Sequence, residues 1–327
     1  MDTYEKNALA FNKQLTVNAI QTTNLDRIAG RRKPDAIIAV GMGGSGLAAS
    51  LLQNLANDVK IPVPVIPWKN FGLPQIPYAR SPLYLFLSFS GNTKEVLDGF
   101  ALANRGHTKI AVVGSGGKLV RLAMKERFAV ATFPPGNLEP RQATGFLFYG
   151  ALRVLNRVWP SVTVPDLTTR VKPYLLRSLA RRIAHRIGGR NIAVIADWED
   201  GHLAYYWKAH FNEAGKTLTS WNVLPEMNHN EVMVFELKPK NLIVLFLEGN
   251  PRDKKIRMIR KVTREVIEVR GTPTLAISGK GKNTLERTMN SLALAGLVSI
   301  EVARHKGIDP RTIGTINELK ERMPELR

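Results

Sequence analysis

The 327-residue chain contains no cysteine. This excludes a disulfide scaffold, a thiolate metal site, an iron–sulfur cluster and a cysteine nucleophile. A membrane span is excluded as well. The uncharged stretch Ala36 to Asn57 runs 22 residues, but Gly41, Gly43, Gly44, Ser45, Gly46, Ser50, Gln53 and Asn54 make it too polar. The start, Met1-Asp2-Thr3-Tyr4-Glu5-Lys6, is acidic where a signal peptide would be basic and then apolar, so a cytoplasmic protein is expected. Acidic residues are scarce, 27 Asp and Glu against 47 Lys and Arg, for a net charge of +20. The excess is spread evenly: residues 1–160 hold 19 basic and 9 acidic side chains, and residues 161–327 hold 28 and 18. With no basic tail, only short clusters such as Arg31-Arg32-Lys33 and Arg181-Arg182, nucleic acid is expected to bind non-specifically if at all.

What is present is a repeated beat of short apolar run, glycine- or serine-rich loop and helical-period segment. Ala36–Val40, Pro62–Ile66, Leu83–Leu87, Ile110–Val113 and Phe128–Phe133 read as buried strands. Helices are expected over Leu47–Leu52, Lys94–Ala103 and Thr144–Val158, after a helical lead-in from about Tyr4 to Ile28. The beat resumes after Trp159-Pro160. A basic, mostly helical segment spans Pro165 to Ile187, with Pro173 kinking it or opening a new helix. Strands over Asn191–Ala196, Leu242–Leu247 and Thr274–Ile277 alternate with helices over His202–Asn212, Lys254–Arg270 and Leu285–His305. This pattern predicts an α/β protein of two doubly wound parallel-sheet sandwich domains, 1–160 and 161–327, with an N-terminal helix and a short C-terminal helix.

Three loops follow strands and open helices. Gly41-Met42-Gly43-Gly44-Ser45-Gly46 can turn backbone N–H groups and a helix N-terminus toward an anion. It also fits the G-x-G-x-x-G dinucleotide fingerprint. The ribose-binding acid that this fingerprint needs is missing, because the second strand ends Ile66-Pro67-Trp68-Lys69-Asn70. No nucleotide cofactor is therefore expected. Ser88-Phe89-Ser90-Gly91-Asn92-Thr93 places three hydroxyls at a helix start, where capping needs only one; together they suit a terminal phosphate monoester. The third loop is Gly114-Ser115-Gly116-Gly117. If the first five strands lie in the order 2-1-3-4-5, the first two loops flank the crevice where winding reverses, which is where such sheets bind ligands.

These loops, in two tandem domains, resemble the sugar-isomerase (SIS) fold of phosphosugar enzymes. Further motifs narrow the resemblance: Pro140-Arg141-x-x-x-Gly145, Asn212-Glu213-x-Gly215-Lys216, Pro225-Glu226-x-x-His229-Asn230-Glu231, Gly307-Ile308-Asp309-Pro310 and Ile316-x-x-Leu319-Lys320. Over about residues 36–325 the chain is similar to the bifunctional phosphoglucose/phosphomannose isomerases of archaea and some bacteria. The resemblance implies a metal-free, cofactor-free aldose–ketose isomerase that converts glucose 6-phosphate, and mannose 6-phosphate, to fructose 6-phosphate through an enediol. Such chemistry needs a carboxylate base, a ring-opening acid/base and a cation.

By the resemblance, Gly44, Ser45, Ser88, Ser90 and Thr93 bind the phosphate and Glu213 is the base. His229 opens the ring from the neighbouring subunit of a homodimer, Lys320 assists, and Arg141 holds the enediolate. Without it, Glu213 reads equally as a surface residue before a glycine cap, His229 as a loop histidine beside asparagines, and Arg141 and Lys320 as solvated cations. Mannose tolerance depends in the family on a small hydroxyl residue about seven positions before the lysine. That count reaches Ile313, between Thr312 and Thr315. Another phosphosugar isomerase on the same fold and a non-catalytic phosphosugar sensor stay open as alternatives.

Overall fold

The computed structural model describes residues 2–30, 32–106, 108–249 and 253–322. Arg31 of the basic cluster lies outside them. By its contacts the chain divides into two compact units, Met1–Val171 with Gly314 onward, and Lys172–Ile313.

Unit 1 carries α1 (Thr3–Leu9), β1 (Gln21–Thr23), β2 (Ile37–Val40), α2 (Gly43–Asn54), β3 (Val65–Trp68), β4 (Leu83–Ser88) and α3 (Lys94–Arg105). β5 (Lys109–Gly114), α4 (Gly117–Lys125), β6 (Ala129–Thr132) and α5 (Thr144–Val158) complete its sandwich. The sheet order is β1-β6-β5-β4-β2-β3. Its five parallel strands therefore run 2-1-3-4-5, and β2 and β4 are neighbours in register from Ile37↔Leu83 to Val40↔Phe86. Ile38, Val40, Phe86, Ile110, Val112 and Val130 project from one face of the sheet onto Val96 and Phe100 of α3 and Leu119 and Val120 of α4. On the other face α5 is buried along most of its length and comes so close that a Cβ on Gly150 would stand 2.5 Å from Val113 Cγ1.

Three expectations for this unit are corrected. The lead-in is not one helix: after α1 come short 3₁₀ turns, then β1, which pairs antiparallel with β6. Two threonines favour extended backbone at that sheet edge. β3 starts three residues later than expected, at Val65, because Pro62 and Pro64 have no N–H to pair. The unit also extends to Val171 rather than ending near 160. Thr163 N–H donates to Val59 O (2.9 Å) and Leu167 N–H to Leu15 O (3.0 Å), while Tyr149 Oη donates to Pro165 O (2.8 Å). These bonds hold 161–171 as irregular chain on unit 1, where a helix was expected from Pro165 onward.

Unit 2 contains α6 (Arg177–Ile187), β7 (Asn191–Asp197), α7 (Gly201–Glu213), β8 (Thr219–Leu224), β9 (Leu242–Glu248), α8 (Lys254–Val269), β10 (Thr274–Ser278) and α9 (Thr284–His305). A 3₁₀ turn from Pro173 to Leu176 leads into α6, so the proline opens a helix rather than kinking one. The four strands are all parallel in the order β10-β9-β7-β8, which repeats the winding of unit 1. Ala193, Ile195, Val244 and Phe246 pack with Phe235 and with Ile267 of α8. β8 was not anticipated: it is an edge strand whose Ser220 and Trp221 are exposed, so no buried run announces it.

The last helix, α10 (Gly314–Arg322), was expected in the second domain but groups with unit 1; it has no buried residue that would anchor it in a core. No helix among the described residues is long and apolar enough to cross a membrane.

Candidate active site

The reversal of winding in unit 1 lies between β2 and β4, and the two loops that leave it are locked together. After β2 the chain turns at Gly41, and α2 begins at Gly43, inside the glycine loop. Met42 at the N-cap offers no side-chain cap and the first turn has no acid, so the leading N–H groups point outward with their dipole uncompensated. Glycine is required sterically at two places: a Cβ on Gly46 would stand 2.7 Å from Gly41 O, and one on Gly44 would stand 2.8 Å from Pro140 O.

Ser45 is buried, and its Oγ accepts the Phe89 N–H at 3.1 Å, tying the first loop to the second. A hydroxyl that accepts there still has its O–H to donate. In the second loop, buried Ser88 accepts the Gly91 N–H (3.1 Å), and its Oγ is 3.2 Å from Thr93 Oγ1. Ser90 is exposed and accepts the Asn92 N–H. Thr93 is the N-cap residue of α3, yet its hydroxyl caps nothing.

The third loop backs the second. Ser115 Oγ donates to Phe89 O at 2.6 Å and the Lys118 N–H donates to Asn92 Oδ1 at 3.0 Å. Gly91, at φ +65°, leaves no space for a side chain beside Gly116 O.

Arg141 joins this cluster. It sits in a 3₁₀ turn, Pro140–Gln142, whose backbone lies against Gly44, and it is 3% exposed, so it is not a solvated cation. Its Nε donates to Tyr4 Oη at 2.7 Å, with the guanidinium carbon 5.2 Å from the Tyr4 ring centre. Glu139 and Gln142 form a capping box around the turn. Gln14 donates to Gln142 O at 2.7 Å, and a Cβ on Gly145 would meet Gln14 Cβ at 2.8 Å. This explains the spacing Pro140-Arg141-x-x-x-Gly145: the glycine makes room for the glutamine that holds the arginine's turn.

Gly44, Ser45, Ser88, Ser90, Thr93 and Arg141 are thus brought together in unit 1. Glu213 and His229 stand in unit 2, Glu213 before the start of β8 and His229 beyond its carboxyl end. Glu213 is half-buried at the end of α7, beside a turn held by Lys306, whose Nζ donates to the carbonyls of Gly215 (3.3 Å) and Lys216 (3.1 Å) and to the Thr217 hydroxyl (2.6 Å). Burial lowers the pKa of Lys306.

His229 is exposed at the end of the turn Glu226–His229, which follows β8. Its neighbours are fixed: Asn228 Nδ2 donates to Thr263 Oγ1 (2.7 Å) and Asn222 Nδ2 to Glu231 Oε2 (2.7 Å). The six residues of β8, at a rise of about 3.3 Å each, put roughly 20 Å of strand between the Glu213 end and the His229 end. Lys320 is exposed on α10. Thr312 donates to Asp309 O (3.0 Å) and is exposed, as is Thr315, while Ile313 is half-buried.

Sequence reasoning missed Tyr4, Gln14, Gln142, Lys306 and Lys69. Lys69 follows β3, and its Cε would lie 3.3 Å from a Cβ on Gly46; burial lowers its pKa. Only Gln142, inside the quoted motif, and Lys69, at the carboxyl end of a strand, carried a usable signal.

Comparison with known proteins identifies the family and the fold. Residues 176–323 match the family model described as the bacterial phospho-glucose isomerase C-terminal SIS domain. A bifunctional phosphoglucose/phosphomannose isomerase from Aquifex aeolicus is 31% identical over 294 residues, covering 88% of this chain and 90% of the relative. One of the same description from Caldicellulosiruptor bescii is 29% identical, with 90% and 91% covered. Among solved structures, glucosamine-6-phosphate deaminase from Thermotoga maritima shares the fold at a TM-score of 0.68 and 15% identity over 94% of each chain. With its paired loops and these relatives along nearly its whole length, the chain belongs to the bifunctional phosphoglucose/phosphomannose isomerase family.

Proposed function

We propose that this protein isomerises glucose 6-phosphate and mannose 6-phosphate to fructose 6-phosphate by moving a proton between C2 and C1. The observation that carries the reading is the interlocked pair of loops at the unit 1 crevice, with Ser45 accepting from Phe89 and Gly44 pressed against the Arg141 turn.

In this reading the uncapped N-termini of α2 and α3, with Ser45, Ser88, Ser90 and Thr93, take the phosphate dianion. Arg141, buried and permanently charged, stabilises the oxygens of the enediolate. Glu213 takes the proton from C2 and returns it to C1, and its half-buried place on a braced turn suits a carboxylate that must be held in position. His229 and Lys320 open the sugar ring.

The functional unit is a homodimer. Because Glu213 and His229 lie beyond opposite ends of β8, a site that uses both draws them from two copies. The exposure of His229 supports this.

The test is a coupled assay with glucose 6-phosphate and mannose 6-phosphate, in chelator, against glucosamine 6-phosphate and a pentose phosphate. Turnover of both hexose phosphates is expected. Turnover of only the amino sugar or pentose would move the protein to another phosphosugar reaction, and binding without turnover would make it a sensor.

A further inference from the structure

We infer that Tyr4 is a positioning residue for catalysis, acting through Arg141. The inference rests on the reading of Arg141 as the cation that meets the enediolate, and it gives the N-terminal segment a part in the reaction.

A seven-residue helix is not stable alone. Here α1 is fixed. Asp2 caps it through the Glu5 N–H (2.8 Å), and Tyr4 is buried. The bonds that hold it run to the Arg141 turn. Gln142 Nε2 donates to Tyr4 O (2.9 Å), and Asn7 Nδ2 donates to Asn137 O (2.8 Å) and Gln142 Oε1 (3.3 Å). The segment and the turn form one polar unit around a buried guanidinium.

Tyr4 grips that guanidinium twice. The phenolic oxygen accepts Nε–H at 2.7 Å, and the ring lies within cation–π range of the charge. A guanidinium is planar, so fixing Nε–H in direction also fixes where its other N–H groups point. Phenylalanine at this position would keep the ring and remove the acceptor. The buried Nε–H would then need another partner, and the plane would turn to find one. Misplacing a charge that acts only in the transition state lowers kcat more than it raises KM. The phosphate loops accept from and donate to one another without Tyr4, so ground-state binding is spared.

The experiment compares Tyr4→Phe, Arg141→Lys and the double variant of the full-length chain. It measures turnover of fructose 6-phosphate and inhibition by two probes. Arabinonate 5-phosphate carries the planar charged oxygens of the enediolate; sorbitol 6-phosphate carries only the phosphate and hydroxyls. We expect Tyr4→Phe to lower kcat about tenfold with KM changed less than about threefold. Binding of the aldonate should weaken by about the same tenfold and binding of the polyol should not change. In the Arg141→Lys background the tyrosine substitution should add little, because Lys has no Nε–H to orient. Unchanged kcat, an equal tenfold loss in the Lys background, or a matching loss of polyol binding would each overturn the assignment. No turnover by the wild type would instead overturn the proposed function on which it stands.

Discussion

The two units wind their sheets alike, yet their crevices carry opposite chemistry. In unit 1 the strands flanking the reversal, β2 and β4, run into glycines and hydroxyls, with no carboxylate from Gly41 to Gly46 or from Ser88 to Thr93. In unit 2 the matching strands, β7 and β9, end in Asp197-Trp198-Glu199-Asp200 and Glu248. Asp197 is buried and pairs with Arg260. Asp200 presses against Gly249, and burial, with Asp197 nearby, pushes its pKa up to about 6. A phosphate dianion has no place among these carboxylates. The winding supplies a crevice, and loop composition decides whether it suits an anion. In the proposed reaction the phosphate loops come from unit 1 and the base, Glu213, from unit 2.

This contrast can be broken in several ways. The largest effect is expected from mixing two dead variants, Glu213→Gln and His229→Ala. If each site takes its histidine from the other copy, unfolding and refolding the mixture forms hybrid dimers with one intact site, and about a quarter of wild-type activity returns. No recovery, with exchange confirmed, would place both residues in one chain's site.

Next, Ser45→Asp moves the chemistry of unit 2 into unit 1. The like charge should raise KM for hexose 6-phosphates by about a hundredfold or more, while Ser45→Ala should raise it only several-fold. Steady-state kinetics decides, and equal effects of the two variants would remove the phosphate from this loop.

The smallest effect sharpens the other side of the comparison. Asp200 has a folded pKa near 6 against an ordinary 3.8, so the folded state holds its proton longer than the unfolded state. Its contribution to stability therefore falls as pH rises from about 4 to about 6 and stays lost above that. His202, buried and pushed down to about 4, does the opposite: its contribution is present above about 6.5 and is lost as pH falls toward 4. Asp200→Asn should remove the first slope alone, leaving stability that climbs with pH and a gain of roughly 1–3 kcal/mol near pH 7. Denaturant melts at pH 4.5 and 7.5 would show it, and a variant less stable at both would refute it.

Much of the fold was legible in the sequence because strands buried on both faces are written as apolar runs. Ala36–Val40 and Leu83–Leu87 could hardly be anything else, and the glycine and serine loops after them marked the crevice. Edge strands β1 and β8 escaped notice because β1 is polar and exposed throughout, and β8 mixes polar Thr219, Ser220 and Asn222 with an exposed Trp221, so neither is a buried apolar run. The clamp on Arg141 escaped for a different reason. Tyr4 and Arg141 are 137 positions apart, and nothing local in either segment signals the other. The acid turn Asp197–Asp200 was visible as letters, but the burial of Asp197 exists only once β7 is placed between β8 and β9.

The division of labour is tested most directly by hydrogen exchange at carbon. In deuterium oxide with chelator, the wild type should turn fructose 6-phosphate into glucose 6-phosphate carrying deuterium at C2. Glu213→Gln should still bind sorbitol 6-phosphate, but label about a thousandfold more slowly. Labelling by Glu213→Gln at the wild-type rate would contradict the account.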